Sequence, residues 1–333
     1  MKVLRYRIET WLVLAGAWAM QRLSRSQAQA FARFCGRGAY HLGVARRAAL
    51  ENLALAFPEK SPAERKAIAK AAYAQFATTM VELTRMPVTP PSQIAALFEF
   101  EGLEIFDKLK AEGRGALCVS AHYGNWEWMG AALIAKGYPM TFMIGTQSNP
   151  QVDALFNEYR ATVGIKFLRI RALREVIRAL KAGEFMAVLG DQDGDKWGRI
   201  TRFFGREVST HYFWEAPAVR AGAAILFGVP QRLENGRHRM KVVALPEPPP
   251  GLTELQASAF RLQAYNDLLE AAIRTDPSMW LWMHRRFRSL ATHRLEGDER
   301  AMAERGEAHY DTQAQAWRRV SDGALLDFKT WKP

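Results

Sequence analysis

From residue 1 to about 95, apolar side chains recur at helical spacing; beyond Pro91 they gather into short runs separated by amphipathic segments. Near the start, Lys2, Arg5 and Arg7 precede the apolar run Trp11 to Met20, and Leu4, Ile8, Trp11, Leu12, Ala15 and Trp18 share one helical stripe. The run falls short of the roughly eighteen apolar residues that mark an evident membrane-crossing helix. Three readings fit it: a leader cleaved at Ala17-Trp18-Ala19, an uncleaved anchor that spans or lies on a membrane, and a buried helix. An uncleaved, membrane-associated helix over residues 1–25 is expected.

Residues 26–95 read as helical. A helix is predicted from Ser26 to Gly43, with apolar positions Ala30, Phe31, Phe34, Cys35 and Tyr40. Ser61-Pro62-Ala63-Glu64 is a capping box with proline at the first helical position, opening a helix through Ala72, Phe76 and Met80 to Met86. Pro87, Pro90 and Pro91 close the region.

Over residues 96–290 the alternation predicts an α/β core, a mixed sheet flanked by helices. Strands are expected at Gly115 to Ser120, Met140 to Ile144, Lys166 to Ile170, Phe185 to Leu189, Ala224 to Pro230 and Arg239 to Leu245. Helices are expected at Trp126 to Ala135, Val152 to Val163, Leu173 to Ala182 and Leu252 to Arg274, the last entered through the proline-rich Pro246 to Gly251. The tail, residues 291–333, is polar and charge-mixed, with Trp317, Leu325, Leu326 and Phe328 as its few anchors; a loosely attached helix or partly ordered extension is expected.

With 333 residues, 49% of them hydrophobic, the chain is a core-forming protein and not a disordered one. Lys and Arg number 46 against 34 acids, a net charge of +12 with a pI near 9.8, which points to an anionic partner. Ten Trp and eighteen Phe beside that charge suit a bilayer surface. The two isolated cysteines, Cys35 and Cys118, provide neither a disulfide framework nor a cysteine metal site, and fit a reducing compartment.

Candidate chemistry concentrates where the strand ending at Ser120 meets Ala121-His122-Tyr123-Gly124-Asn125-Trp126-Glu127. Ligands of α/β sheets bind at carboxyl ends of strands. Gly124 permits a tight turn and Asn125 can cap the next helix, so Glu127 falls in its first turn, from which its carboxylate can swing back to His122. An imidazole that takes a proton from a hydroxyl needs its other nitrogen held and its developing charge balanced, so a His122–Glu127 dyad is expected. Gly190-Asp191-Gln192-Asp193-Gly194-Asp195 follows a second strand; Lys196 and Arg202 stand where a calcium loop needs Gly and Glu, so the acids are read as orienting groups. Arg199, Arg202 and Arg206, and the segment Trp280 to Arg288, mix guanidinium groups with aromatics that can meet phosphate or line an acyl surface.

Taken in order, several motifs resemble those of the bacterial lipid A late acyltransferases and their lysophospholipid acyltransferase-like relatives. They are Arg46-Arg47 with Asn52 to Pro58; His122 to Glu127; Asn149-Pro150 with Arg160 and Gly164; Gly190 to Asp193; Phe203-Phe204-Gly205; and Trp280 to Phe287. The resemblance covers about residues 1–290 and implies a glycerolipid acyltransferase-like fold. It also implies an O-acyltransferase without a cofactor or metal, at the inner membrane with its catalytic domain on the cytoplasmic side. Such an enzyme moves an acyl chain from acyl carrier protein to a hydroxyl of a membrane glycolipid, a lipid A precursor. By the same resemblance His122 is the general base and Glu127 its partner, while Arg160, Asp191, Asp193 and Arg202 are expected to bind substrate. Segment 209–228 and the tail depart from the family pattern.

Two other classes have weaker support. A nucleic-acid-binding protein would use the basic and aromatic segments, but no zinc-finger or RNP-like spacing occurs. A metal hydrolase lacks H-E-x-x-H and a convincing three-ligand cluster.

Overall fold

The structure, a computed structural model, describes residues 2–305 and 307–328. The end of the expected tail extension, residues 329–333, lies outside the described residues. Five helices come first: α1 (Lys2–Arg22), α2 (Arg25–His41), α3 (Arg46–Ala56), α4 (Pro62–Thr84) and the short α5 (Pro91–Ala95). Complete capping boxes start two of them, Ser24 with Gln27 on α2 and Ser61 with Glu64 on α4. Helices α2 and α4 pack so closely that a Cβ at Gly36 would sit 2.4 Å from the Tyr73 carbonyl oxygen. No helix among the described residues is long and apolar enough to cross a membrane. Helix α1 does leave Leu4, Ile8, Trp11, Leu12 and Trp18 on its exposed side, Trp11 at 72% exposure.

The core then runs β1 (Phe98–Glu101), α6 (Glu104–Ala111), β2 (Ala116–Ser120), α7 (Trp126–Ala135), β3 (Met140–Ile144), α8 (Pro150–Thr162), β4 (Lys166–Arg169), α9 (Leu173–Lys181) and β5 (Phe185–Leu189). A hairpin of β6 (Arg199–Phe203) and β7 (Arg206–Thr210) follows, then α10 (Glu215–Ala221), β8 (Ala224–Phe227), β9 (Pro230–Arg232), β10 (His238–Lys241), β11 (Val243–Ala244) and α11 (Glu254–Thr275). The main sheet has six strands in the order β11-β8-β2-β5-β3-β4, all pairs parallel except β11 with β8. The chain is therefore α/β with a mixed sheet.

Two expected strands divide. Ala224 to Pro230 becomes β8 in the main sheet and β9 in a separate three-stranded sheet, β1-β10-β9; Arg239 to Leu245 divides likewise into β10 and β11. Gly228 lies at the first corner, where a Cβ would come within 2.6 Å of Met240 Cε, so the chain can turn from one sheet to the other there. Strand β2 alternates in the sense its period of two requires. Leu117 and Val119 pack with Trp214, Tyr265 and Trp282 on one face; Ala116 and Cys118 meet Trp128, Leu133 and Met140 on the other.

The tail is more structured than its composition suggests. Helix α12 (Gly297–Glu304) and strands β12 (Ala308–Asp311), β13 (Ala316–Arg319) and β14 (Leu325–Leu326) form a small antiparallel unit. Tyr310 and Trp317 share a core with Ile200 of the hairpin, and Gln315 Nε2 donates to the Ile200 carbonyl at 2.9 Å.

Candidate active site

Strands β2 and β5 run parallel with Ser120 opposite Leu189, and Gly190 N donates to the Ser120 carbonyl at 2.9 Å. The two chains thus leave the sheet at the same level, bringing His122 and Asp191 together. His122 Nδ1 lies 2.8 Å from Asp191 Oδ1. The backbone N of His122 donates to Oδ2 at 3.0 Å, and Trp280 Nε1 donates to Oδ2 at 2.8 Å. Asp191 is buried, while the His122 side chain keeps 19% exposure at the rim. A carboxylate at Nδ1 fixes the proton on that nitrogen and leaves Nε2 as the basic one. Burial pushes the imidazole towards its neutral form, but the charges of Asp191 and then Glu127 outweigh it and raise its pKa above the ordinary value. Burial acts against the Asp191 carboxylate as well, yet His122 and its hydrogen bonds hold that group below the usual carboxylate range.

The expected His122–Glu127 contact is replaced. Glu127 does sit in the first turn of α7, capped by Asn125, but its carboxylate is gripped by Arg160 from the last turn of α8: Nη2 donates at 2.7 Å and Nε at 2.9 Å. Trp126 Nε1 adds a bond at 3.2 Å. A permanent cation in fork geometry is the stronger partner for that carboxylate, and His122 turns to the acid on the neighbouring strand. Glu127 acts on the imidazole through its charge only.

Of the other expected substrate-binding residues, Arg160 is the Glu127 partner and Asp191 the imidazole partner. Asp193 is buried and uses both oxygens inside the protein, accepting from Asp195 N at 2.6 Å and Ser289 N at 2.8 Å. Arg202 projects from β6 into solvent, 3.9 Å from Glu207. Within Trp280 to Arg288, Arg286 is fully buried, donating to the Ser209 carbonyl and Thr210 Oγ1, so it braces the hairpin and does not face phosphate. The Trp280 indole bond to Asp191 was not expected; nothing in local spacing announces a partner 89 positions away.

The turn is held from behind. Gly124 adopts φ +57, and a Cβ there would lie 1.8 Å from the Pro230 carbonyl oxygen. Thr79 Oγ1 donates to the Gly124 carbonyl at 2.8 Å, and Asn125 Nδ2 donates to the fully buried Glu82 at 2.7 Å. Glu82 also takes both arms of Arg232, at 3.1 and 2.5 Å. Burial pushes the Glu82 carboxyl up, but the Arg232 charge and hydrogen bonds prevail and bring it to about 2. Its stabilisation is therefore complete above the unfolded carboxyl pKa, near 4.5, and is lost as pH falls through about 2. Glu82→Ala leaves the Arg232 guanidinium buried without its carboxylate, and a loss of about 3–5 kcal/mol is expected in urea titrations at pH 7; a loss under about 1 kcal/mol contradicts this.

Cys118 faces an apolar cavity with Met129, Leu133 and Phe142, and burial pushes its thiol up to about 12. A nucleophilic role needs a thiolate. Cys118→Ala is expected to keep turnover within about threefold of the parent; loss of all turnover by a folded variant would restore the thiol as a candidate.

Residues 1–289 match the family model described as bacterial lipid A biosynthesis acyltransferase. The lauroyltransferase of lipid A biosynthesis from Escherichia coli (strain K12) is 27% identical over 286 residues, 84% of this chain and 91% of that protein. From the same organism, the myristoyltransferase is 26% identical over 258 residues (74% and 77%) and the palmitoleoyltransferase 25% identical over 244 (72% and 78%).

Proposed function

The chain belongs to the bacterial lipid A biosynthesis acyltransferases, and from that premise we propose that it transfers a fatty acyl group from a carrier-protein thioester to a hydroxyl of a lipid A precursor, with His122 as general base. The enzyme is an O-acyltransferase. The observation that carries the proposed chemistry is the His122–Asp191 bond at an open strand rim. Nε2 of His122 takes the proton from the acceptor hydroxyl as its oxygen attacks the thioester carbonyl; the carbon–sulfur bond then breaks, and the imidazolium returns the proton to the departing thiolate. An ester and a free thiol result, and no covalent enzyme intermediate is needed. Asp191 keeps the tautomer and balances the imidazolium; Glu127, paired with Arg160, adds its charge behind the ring.

The same reading assigns the wider surface. Arg202 and Arg206 on the hairpin are exposed and suited to the acceptor's phosphates. The net charge of +12 suits both an acidic carrier protein and an anionic leaflet. The exposed stripe of α1, followed by Phe31 and Phe34 on α2, suits a helix lying at the inner membrane with the catalytic core on its cytoplasmic side.

A general base works when neutral, so kcat must rise with pH through the imidazole pKa. Because Asp191 and Glu127 raise that pKa, the acid limb of the profile is expected above the ordinary histidine value of about 6.5. Purified protein assayed from pH 5 to 9 with an acyl-carrier-protein thioester and a lipid A precursor reads this directly. A flat profile, or a limb below 6, argues against His122 as the base.

A further inference from the structure

Asn149 takes no part in the chemistry above, yet its side chain is buried between two helices and bonds to both. Its Oδ1 caps α8, accepting from Gln151 N at 3.0 Å and Val152 N at 3.5 Å. Its Nδ2 points the other way, into α1, donating to the Tyr6 carbonyl at 2.9 Å, Glu9 Oε2 at 3.2 Å and Thr10 Oγ1 at 3.3 Å. Thr10 Oγ1 adds a bond to Gln151 Oε1 at 3.0 Å. The helix so capped carries Arg160, the residue that holds Glu127, in its last turn.

At its other end α1 is tied to α4. Arg85, just past α4, donates to the carbonyls of Met20 and Leu23, and Gln21 Nε2 donates to the Thr84 carbonyl at 2.8 Å. Glu82, within one turn of Arg85, holds Asn125, the cap of the helix that carries Glu127. The two ends of α1 therefore bear on the caps of α7 and α8, whose side chains form the Glu127–Arg160 pair.

We propose that Asn149 is a positioning residue through which α1 keeps Arg160 on Glu127 and thereby fixes the charge behind His122. The inference rests on the transfer reaction proposed above. A short helix moves nearly as a rigid rod, so a displaced cap displaces Arg160 about 16 Å away along its axis. A fork-shaped ion pair is sensitive to such a shift, and a misplacement of about 1 Å near the chemistry can cost about 100-fold in rate.

Asn149→Asp separates the two jobs. The variant keeps an oxygen to cap α8 but has no N–H for Tyr6, and sets a carboxylate against Glu9. With lauroyl acyl carrier protein and a lipid A precursor in detergent micelles, kcat is expected to fall about 10- to 100-fold, with KM for the donor within about twofold. Adding Glu9→Gln supplies a donor from the α1 side and is expected to recover most of the loss. Wild-type kcat in Asn149→Asp, or a loss that Glu9→Gln leaves untouched, overturns the proposal. If Asn149→Asp does not fold, Asn149→Ser keeps a capping oxygen for α8 and removes the Nδ2 bonds to Tyr6, Glu9 and Thr10; unchanged kcat there overturns it equally. Should the wild-type protein fail to acylate the precursor, the reaction reading falls and the tie is judged by hydrogen exchange. Faster exchange of the α8 amides in Asn149→Asp supports it, and unchanged exchange overturns it.

Discussion

His122→Ala is expected to remove acyl transfer, lowering kcat by at least about 10³-fold while the protein stays folded. General base catalysis by a positioned side chain contributes about 10² to 10⁴, and in the proposed reaction the same imidazole also returns the proton to the leaving thiolate, so both halves would lose their carrier. The ring sits at the rim with 19% of its side chain exposed, so its removal opens no core cavity. What remains buried is the Asp191 carboxylate, still bonded to Trp280 Nε1 and the backbone N of residue 122. A melting temperature within several degrees of the parent, beside transfer at background, is the expected pair of readings. A folded variant with a tenth or more of parental kcat would transfer the base role elsewhere.

Asp191→Asn is expected to cost up to about 10⁴ in kcat, the size of loss that follows when a carboxylate behind a catalytic imidazole becomes an amide and the tautomer is no longer enforced. An amide oxygen in the place of Oδ2 keeps the bonds from the backbone N of His122 and the Trp280 indole, but the NH2 then stands where Oδ1 met His122 Nδ1 and cannot accept its proton. The charge that raises the imidazole pKa is also gone, so the remaining activity should show its acid limb at lower pH than the parent. Asp193→Asn offers a contrast. That residue holds the Ser289 and Asp195 amides, so stability is expected to fall more than the pH profile moves.

Much of this site is legible in the amino-acid order, and the part that is not has a physical cause. That His122 and Asp191 each follow an apolar strand can be read directly, because strand runs and the polar residues that end them are local features. That the two strands are neighbours cannot, since the order β2-β5-β3 is set by long-range packing of faces such as Leu117, Val119, Met186 and Val188. Glu127, only five positions from His122, is the apparent partner in one dimension; Arg160, 33 positions further on, outcompetes the imidazole for it in three. The motif pair Asn149-Pro150 likewise reads as a helix start, whereas its bond to α1 spans 143 positions.

Similar reasoning covers the fold. Strand limits are clearest where both faces are buried, as in β3 and β5, which occupy the expected Met140–Ile144 and Phe185–Leu189. The hairpin β6–β7 and the tail sheet were not anticipated as strands. Each is short, and the hairpin divides its buried residues: Ile200 joins Tyr310 and Trp317 of the tail, while Phe203 and Val208 join the main core. A segment whose burial depends on a partner distant in sequence carries little periodic signal of its own.

In the proposed reaction His122, held by Asp191, is the general base that activates a lipid A precursor's hydroxyl for acylation. Mass spectrometry of lipid A tests it most directly, comparing cells that lack this chain with cells that regain the wild-type protein or His122→Ala at equal abundance. A lipid A species lighter by one acyl group is expected in its absence, restored by the wild type and not by His122→Ala. Unchanged lipid A masses without the protein, or full restoration by His122→Ala, would contradict it.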